Sequence, residues 1–102
     1  MKLSSNQRKY LESLANKLSP VIRIGKNGLE AKIIASINEA FNTQELIKIK
    51  ILDSSPAKAE EVAEAALAGS SAQLVRIIGR VIVLYQPFTD KTKKIELPAP
   101  KK

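Results

Sequence analysis

From Ile47 to Ile51 the chain alternates strictly between isoleucine and lysine, and Leu46 extends the segment to six residues. A side-chain period of two belongs to a β-strand. It sets Ile47, Ile49 and Ile51 on one face, with Lys48 and Lys50 on the other. Any fold for this chain must therefore contain a sheet with one face buried here and the other at least partly wet.

The flanking segments carry the longer period of helices. Ser4 and Gln7 have the form of a capping box, and Leu3, Tyr10, Leu11, Leu14 and Leu18 follow at helical spacing, which predicts a first helix ending before Pro20. Val21-Ile22-Arg23-Ile24 reads as a short strand stopped by Gly25-Lys26-Asn27-Gly28. Leu29, Ile33, Ile34, Ile37 and Phe41 trace a second helical stripe, with Asn27 and Glu30 as its N-terminal cap. Ser55-Pro56 predicts the opening of a third helix, Ser55 capping it and Pro56 in its first position, and Ala59, Val62, Ala63, Ala66 and Leu67 form its apolar side up to Gly69. Gln73 to Ile78 and Val81 to Tyr85, separated only by Gly79-Arg80, read as an antiparallel hairpin. The order α-β-α-β-α-β-β predicts an α/β chain of the α+β two-layer kind, one domain with helices packed against a four-stranded mixed sheet. A length of 102 residues leaves room for one core.

Charge narrows the partner. Seventeen Lys and Arg against ten Asp and Glu give a net charge of +7, so an anionic partner is expected. The chain has no His and no Cys, which excludes Ser-His-Asp and Cys-His catalysis, Cys/His zinc sites and disulfides. No spacing of Ser, Lys or Asp singles out another catalytic site, so no enzyme and no cofactor are expected. The first nine residues hold no apolar signal segment, and the run from Val81 to Tyr85 is too short for a membrane span. The expectation is a soluble cytoplasmic monomer that binds neither membranes nor a small-molecule substrate.

The cations are unevenly placed. Residues 1–32 hold Lys2, Arg8, Lys9, Lys17, Arg23, Lys26 and Lys32 against Glu12 and Glu30, whereas the third helix carries Glu60, Glu61 and Glu64. A positive surface centred on the first helix and the glycine loop follows, with the third helix turned away from any nucleic acid. Gly25-Lys26-Asn27-Gly28 is built like a phosphate-contacting loop, because glycine lets the backbone approach a polyanion while Lys26 supplies charge. A plain strand-to-helix turn would also want glycine and asparagine there. Lys48 and Lys50 likewise fit either a solvated strand face or a nucleic-acid contact. Of the four aromatics, Tyr10 and Phe41 fall in the expected core stripes, so backbone recognition is favoured over base stacking. Lys91, Lys93, Lys94, Lys101 and Lys102 make the end of the chain basic.

Four segments together carry a resemblance. Leu3-Ser4-Ser5-Asn6-Gln7-Arg8-Lys9-Tyr10-Leu11, Pro20 to Leu29, Glu45 to Ile51 and Ile78 to Pro87, in this order and spacing, resemble a CRM domain of the YhbY type. The resemblance spans residues 1–97 and leaves 98–102 as a short basic extension. It implies a fold related to the C-terminal domain of translation initiation factor three. It also implies a non-catalytic protein that binds ribosomal RNA or precursors of the large subunit and assists their assembly. By position it makes Gly25, Lys26, Asn27 and Gly28 the family's G-x-x-G loop, with a basic surface that includes Lys26 and the first-helix cations Arg8, Lys9 and Lys17; the placement of charge along the chain adds Arg23, Lys32, Lys48 and Lys50 as candidate RNA contacts. The competing expectation is an adaptor that docks an acidic protein through the open sheet face or the basic tail.

Overall fold

The computed structural model describes residues 3–89, 92 and 95–99. Its elements are α1 (Ser5–Ala15), β1 (Ile22–Ile24), α2 (Ala31–Ala40), β2 (Leu46–Ile51), α3 (Ala59–Gly69), β3 (Gln73–Ile78) and β4 (Val81–Tyr85). The four strands form one mixed sheet in the order β1-β2-β4-β3, so the expected α+β domain is the one observed. β1 runs parallel to β2 with Ile22 opposite Ile49 and Ile24 opposite Ile51. β4 lies antiparallel to both β2 and β3, and the Gly79-Arg80 turn inserts it between them. Gly79 has φ +58°, which the primed turn of a two-residue hairpin requires and glycine supplies without strain.

Alternation along each strand sorts the interior into two clusters. Ile22 and Ile24 of β1, Ile47, Ile49 and Ile51 of β2, and Ile82 and Leu84 of β4 meet Ile33, Ile37 and Phe41 beside Val62, Ala63 and Ala66. α2 and α3 thus cover one face of the sheet, as the expected two layers require. The other face carries Leu46, Val75, Val83 and Tyr85, packed under Leu3, Leu11 and Ala15 of the α1 segment and against Ile95 and Leu97. α1 therefore adds a partial third layer on the lysine side of β2. The alanines of α3 permit close packing, and a Cβ on Gly69 would come within 2.5 Å of Ile34 Cγ2.

Several local expectations are corrected. The capping box of α1 is present and the helix ends before Pro20, at Ala15, but its buried side is Gln7, Leu11 and Ala15. Tyr10 and Leu18 are not core residues: they are 38% and 37% exposed, because the packing face follows an i, i+4 row and Tyr10 falls on its flank. Val21 precedes β1 and is exposed, although its amide donates to the Lys48 carbonyl, and Leu67 also faces outward. α2 is capped at Glu30 with no side-chain hydrogen bond, since the Glu30 carboxylate pairs with Lys32 at 3.2 Å; Asn27 is not the cap. Nor do Ser55 and Pro56 open α3. That helix starts at Ala59 after Lys58, while Ser55 Oγ accepts the Ala57 amide in a preceding turn. The turn is set by Arg80, whose guanidinium donates to the carbonyls of Leu52 and Ser55. The expectations on Lys91, Lys93, Lys94, Lys101 and Lys102 lie outside the described residues. Among those described, no helix is long and apolar enough to cross a membrane.

Tyr85, at the end of β4, is buried to within 1% of its surface. Burial, and secondarily the nearby Glu45 carboxylate, push its phenol above the ordinary value. The folded state thus holds this proton more tightly than the unfolded chain. Its contribution to stability is whole below the unfolded value near 10 and is lost as pH rises through the folded value. We expect the stability of the protein to fall more steeply above about pH 10 than that of Tyr85→Phe. Urea titrations at several pH values check this, and parallel curves for the two proteins would refute it.

Candidate nucleic-acid interface

α1 covers only part of its face of the sheet. The register of the strands places Arg23 beside Lys50, and Lys50 opposite Val81, which in turn faces Ile78. Arg23, Lys50 and Ile78 are exposed, Ile78 by 43%, so this row of the sheet is open. Neighbouring strands lie about 4.8 Å apart, which holds the Arg23 and Lys50 backbones rigidly side by side. One row further on, Lys48 is half-buried and its Nζ donates to the Leu18 carbonyl at 3.1 Å. Its charge lies on the open side, while its ammonium also anchors the segment leaving α1.

The glycine loop closes the same end of the sheet. The Gly28 amide donates to the Gly25 carbonyl at 2.9 Å, and the Leu52 amide donates to Ile24 at 2.9 Å. Lys26 and Asn27 point outward at the tip. The two glycines differ in kind. Gly28 has φ +68° and a Cβ there would meet Pro56 Cγ at 3.3 Å, so the backbone itself demands glycine. Gly25 has no positive φ, and a Cβ on it would touch nothing within 4 Å. Neither backbone conformation nor packing within the fold requires glycine at 25.

The cations of α1 are dispersed around the helix. The side-chain amides of Asn6 and Gln7 donate to the carbonyls of Ala99 and Pro98, so the C-terminal segment lies along one flank. Arg8 and Glu12, one turn apart, occupy the opposite flank, where Glu12 reaches Arg76 of β3. Of the three expected α1-segment cations, Arg8 lies on the flank whose Glu12 reaches β3, whereas Arg23 and Lys50 stand on β1 and β2 in the sheet order β1-β2-β4-β3. Lys9 projects away from the sheet, and Lys17 follows the end of the helix. Lys32 stands in the first turn of α2, across the sheet from Arg23 and Lys50 but next to the loop.

Two arginines of this region were not among the expected residues. Arg80 binds backbone: its Nε donates to Ile51 and its Nη2 to Leu52 and Ser55, which fixes the turn behind the glycine loop. Arg76 sits at a register shift between Leu74 and Arg76 of β3. Val75 packs with the α1-side cluster, Ile77 packs with the α2/α3 side, and Arg76 reaches α1. Residues 75 and 76 thus both turn toward α1, the effect of a β-bulge. Strict alternation along β3 would have sent Arg76 to the other face, so no signal in the sequence marked it.

Comparison with known proteins agrees with this architecture. The chain is similar to a protein of Bacillus subtilis (strain 168) named Probable RNA-binding protein YqeI, with 41% identity over 94% of this chain and 99% of that one. A Haemophilus influenzae protein named RNA-binding protein is 36% identical over 94% of this chain and 95% of its own. Among solved structures, the solution structure of Staphylococcus aureus SAV1595 superposes with a TM-score of 0.74 at 34% identity, covering 95% of this chain and all of that one. The sequence model of the CRS1 / YhbY (CRM) domain matches residues 3–86, so the match runs from the start of the α1 segment to just past β4. The chain belongs to the CRS1 / YhbY (CRM) domain family.

Proposed function

We propose that this protein is a non-catalytic RNA-binding module that acts, as a cytoplasmic monomer, on ribosomal RNA of the large subunit or its precursors. The observation that carries the reading is the open approach at Gly25 beside the aligned cations Arg23 and Lys50. In this reading phosphates dock on Arg23, Lys50 and Lys26, with Asn27 and the backbone at Gly25 close enough to donate hydrogen bonds. Gly28 shapes the loop. Arg8 and Lys48 border the docked strand, while Lys9, Lys17 and Lys32 add to the field that draws the polyanion in. α3, with Glu60, Glu61 and Glu64, lies on the opposite face of the sheet. The names of the relatives that share this fold support an RNA partner. Residues 1–97 form the binding domain in this proposal, and 98–102 remain a short basic extension.

The test uses the difference between the two glycines. Gly25→Glu keeps its melting temperature, because surface changes of this type alter stability by only about 0.5 kcal/mol, yet it weakens binding to a large-subunit RNA fragment by about 10-fold or more. Gly28→Asp instead costs about 1–2 kcal/mol of stability through its left-handed backbone. Wild-type protein in extract should sediment with large-subunit particles at low salt, and Gly25→Glu should be displaced from them. Unchanged affinity of folded Gly25→Glu would remove the loop from the interface. Finding the wild type only in the light fraction, or bound to an acidic protein, would reject the assembly role.

A further inference from the structure

Arg76 and Glu12 form an ion pair that nothing in the proposed binding mode uses. Arg76 Nη1 donates to Glu12 Oε2 at 3.1 Å. The Arg76 side chain is 57% exposed, while that of Glu12 is 24% exposed. The arginine is thus the more exposed partner and the carboxylate the more buried one. A guanidinium has five N–H donors in a planar fork, and this contact occupies one edge of it. The pair is held by a β-bulge, a device that re-aims a side chain at a cost in strand pairing. Val83 separates Arg76 from Lys48 along one row of the sheet, so Arg76 borders the cationic face on the side opposite Arg23. Glu12 shares its flank of α1 with Arg8 and brings a negative charge to the edge of that face.

Resting on the RNA-binding reading above, we propose that Arg76 is a further RNA-contacting residue, held by Glu12 in the free protein and passed to a phosphate when RNA docks. The chemistry favours the exchange. A phosphate accepts two parallel N–H bonds from the guanidinium, whereas the carboxylate here takes one, and an exposed ion pair is weak and screened by salt. Glu12 then has a second effect. It masks one edge of the face, so an anion that reaches only Arg76 gains little. RNA that spans from Arg23 across to Arg76 gains the full set of contacts. The pair thereby favours extended, properly seated RNA over isolated phosphates.

The experiment measures affinity for a fluorescently labelled large-subunit RNA fragment as a function of salt, for full-length protein and variants with verified melting temperatures. Glu12→Gln should tighten binding about 2–5-fold, the cost of opening an exposed pair converted to affinity. Glu61→Gln on α3 makes the same change in net charge on the far side and should shift affinity by less than about 1.5-fold, because screening reaches only about 10 Å at 0.1 M salt. Arg76→Ala should weaken binding about 10-fold and reduce the salt slope by about one unit. Arg76→Lys keeps the charge without the fork and should fall between the two. If Lys50→Ala weakens binding while Arg76→Ala changes neither affinity nor slope, Arg76 is no contact. If Glu12→Gln matches Glu61→Gln, the carboxylate does not hold it. Absence of binding by the wild type would instead strike the RNA reading itself.

Discussion

Raising salt from ~50 to ~200 mM is expected to weaken the binding of this protein to structured RNA by on the order of 10²–10³-fold. The number follows from counterion release, in which each neutralised phosphate contributes about −0.9 to the slope of log affinity against log salt. Arg23, Lys26 and Lys50 present their charges outward at one end of the sheet, Lys48 and Arg76 stand in the next row on either side of Val83, and Arg8 shares the α1 flank of Glu12. In the proposed binding mode a face of this make-up would engage about 4–6 phosphates. Base stacking offers little to offset the loss. Phe41, Tyr85 and Phe88 are buried, and Tyr10, the one exposed aromatic of the four, lies on the flank of α1 away from Arg8 and Glu12. Anisotropy titrations at four or more salt concentrations give the slope directly. A slope shallower than about −2 would mean that stacking or hydrogen bonding to bases carries the affinity, and would displace Arg23 and Lys50 from the centre of the interface.

Replacing Glu45 with alanine should lower stability by about 2–4 kcal/mol, with a fall in melting temperature of roughly 10–20 °C for a domain of this size. Glu45 is 2% exposed, directly before β2. Its carboxylate accepts the Phe88 amide at 2.8 Å through one oxygen and the Ile95 amide at 2.9 Å through the other. Its own carbonyl accepts the amide of Gln86 at 2.8 Å. One side chain therefore ties the segment after β4 to the start of β2, and brings Ile95 and Leu97 over Tyr85 and Leu3. Alanine removes the acceptor of both amides and loosens that cover. Chemical denaturation of the variant checks the magnitude, and a loss below about 1 kcal/mol would show that the segment is held by its apolar contacts alone. RNA affinity per folded molecule should be unaffected. Glu45 adjoins the Leu46 end of β2, and the glycine loop adjoins the Ile51 end.

These two experiments probe features of different legibility. Ile47-Lys48-Ile49-Lys50-Ile51 announced a strand with a buried and a wet face, and Ile47, Ile49 and Ile51 are all in the core under α2 and α3. The capping box at Ser4 and Gln7, the Gly79-Arg80 hairpin and the order of the seven elements were equally readable. Each rests on a local cause: a backbone repeat, a cap within three residues, or a turn that needs positive φ. Such causes act between near neighbours in the chain, and near neighbours are what a sequence displays.

Contacts between distant segments were not readable. Nothing in the spacing of Tyr10 or Leu18 told which row of α1 would meet the sheet, because that depends on where Val75, Val83 and Tyr85 stand. Ser55-Pro56 had the form of a helix start, and the guanidinium of Arg80, 25 residues away, made it a turn instead. The contact of Arg76 with Glu12 spans 64 positions of sequence, and the clasp of Glu45 on Ile95 spans 50. Gly25 and Gly28 look alike in the sequence. Only the packed structure shows that Pro56 and a positive φ require glycine at 28 while open space surrounds 25. Local periodicity determined the elements and their order. The choice of which faces meet belongs to the tertiary structure, because packing and buried hydrogen bonds are made between surfaces that exist only after the elements have formed.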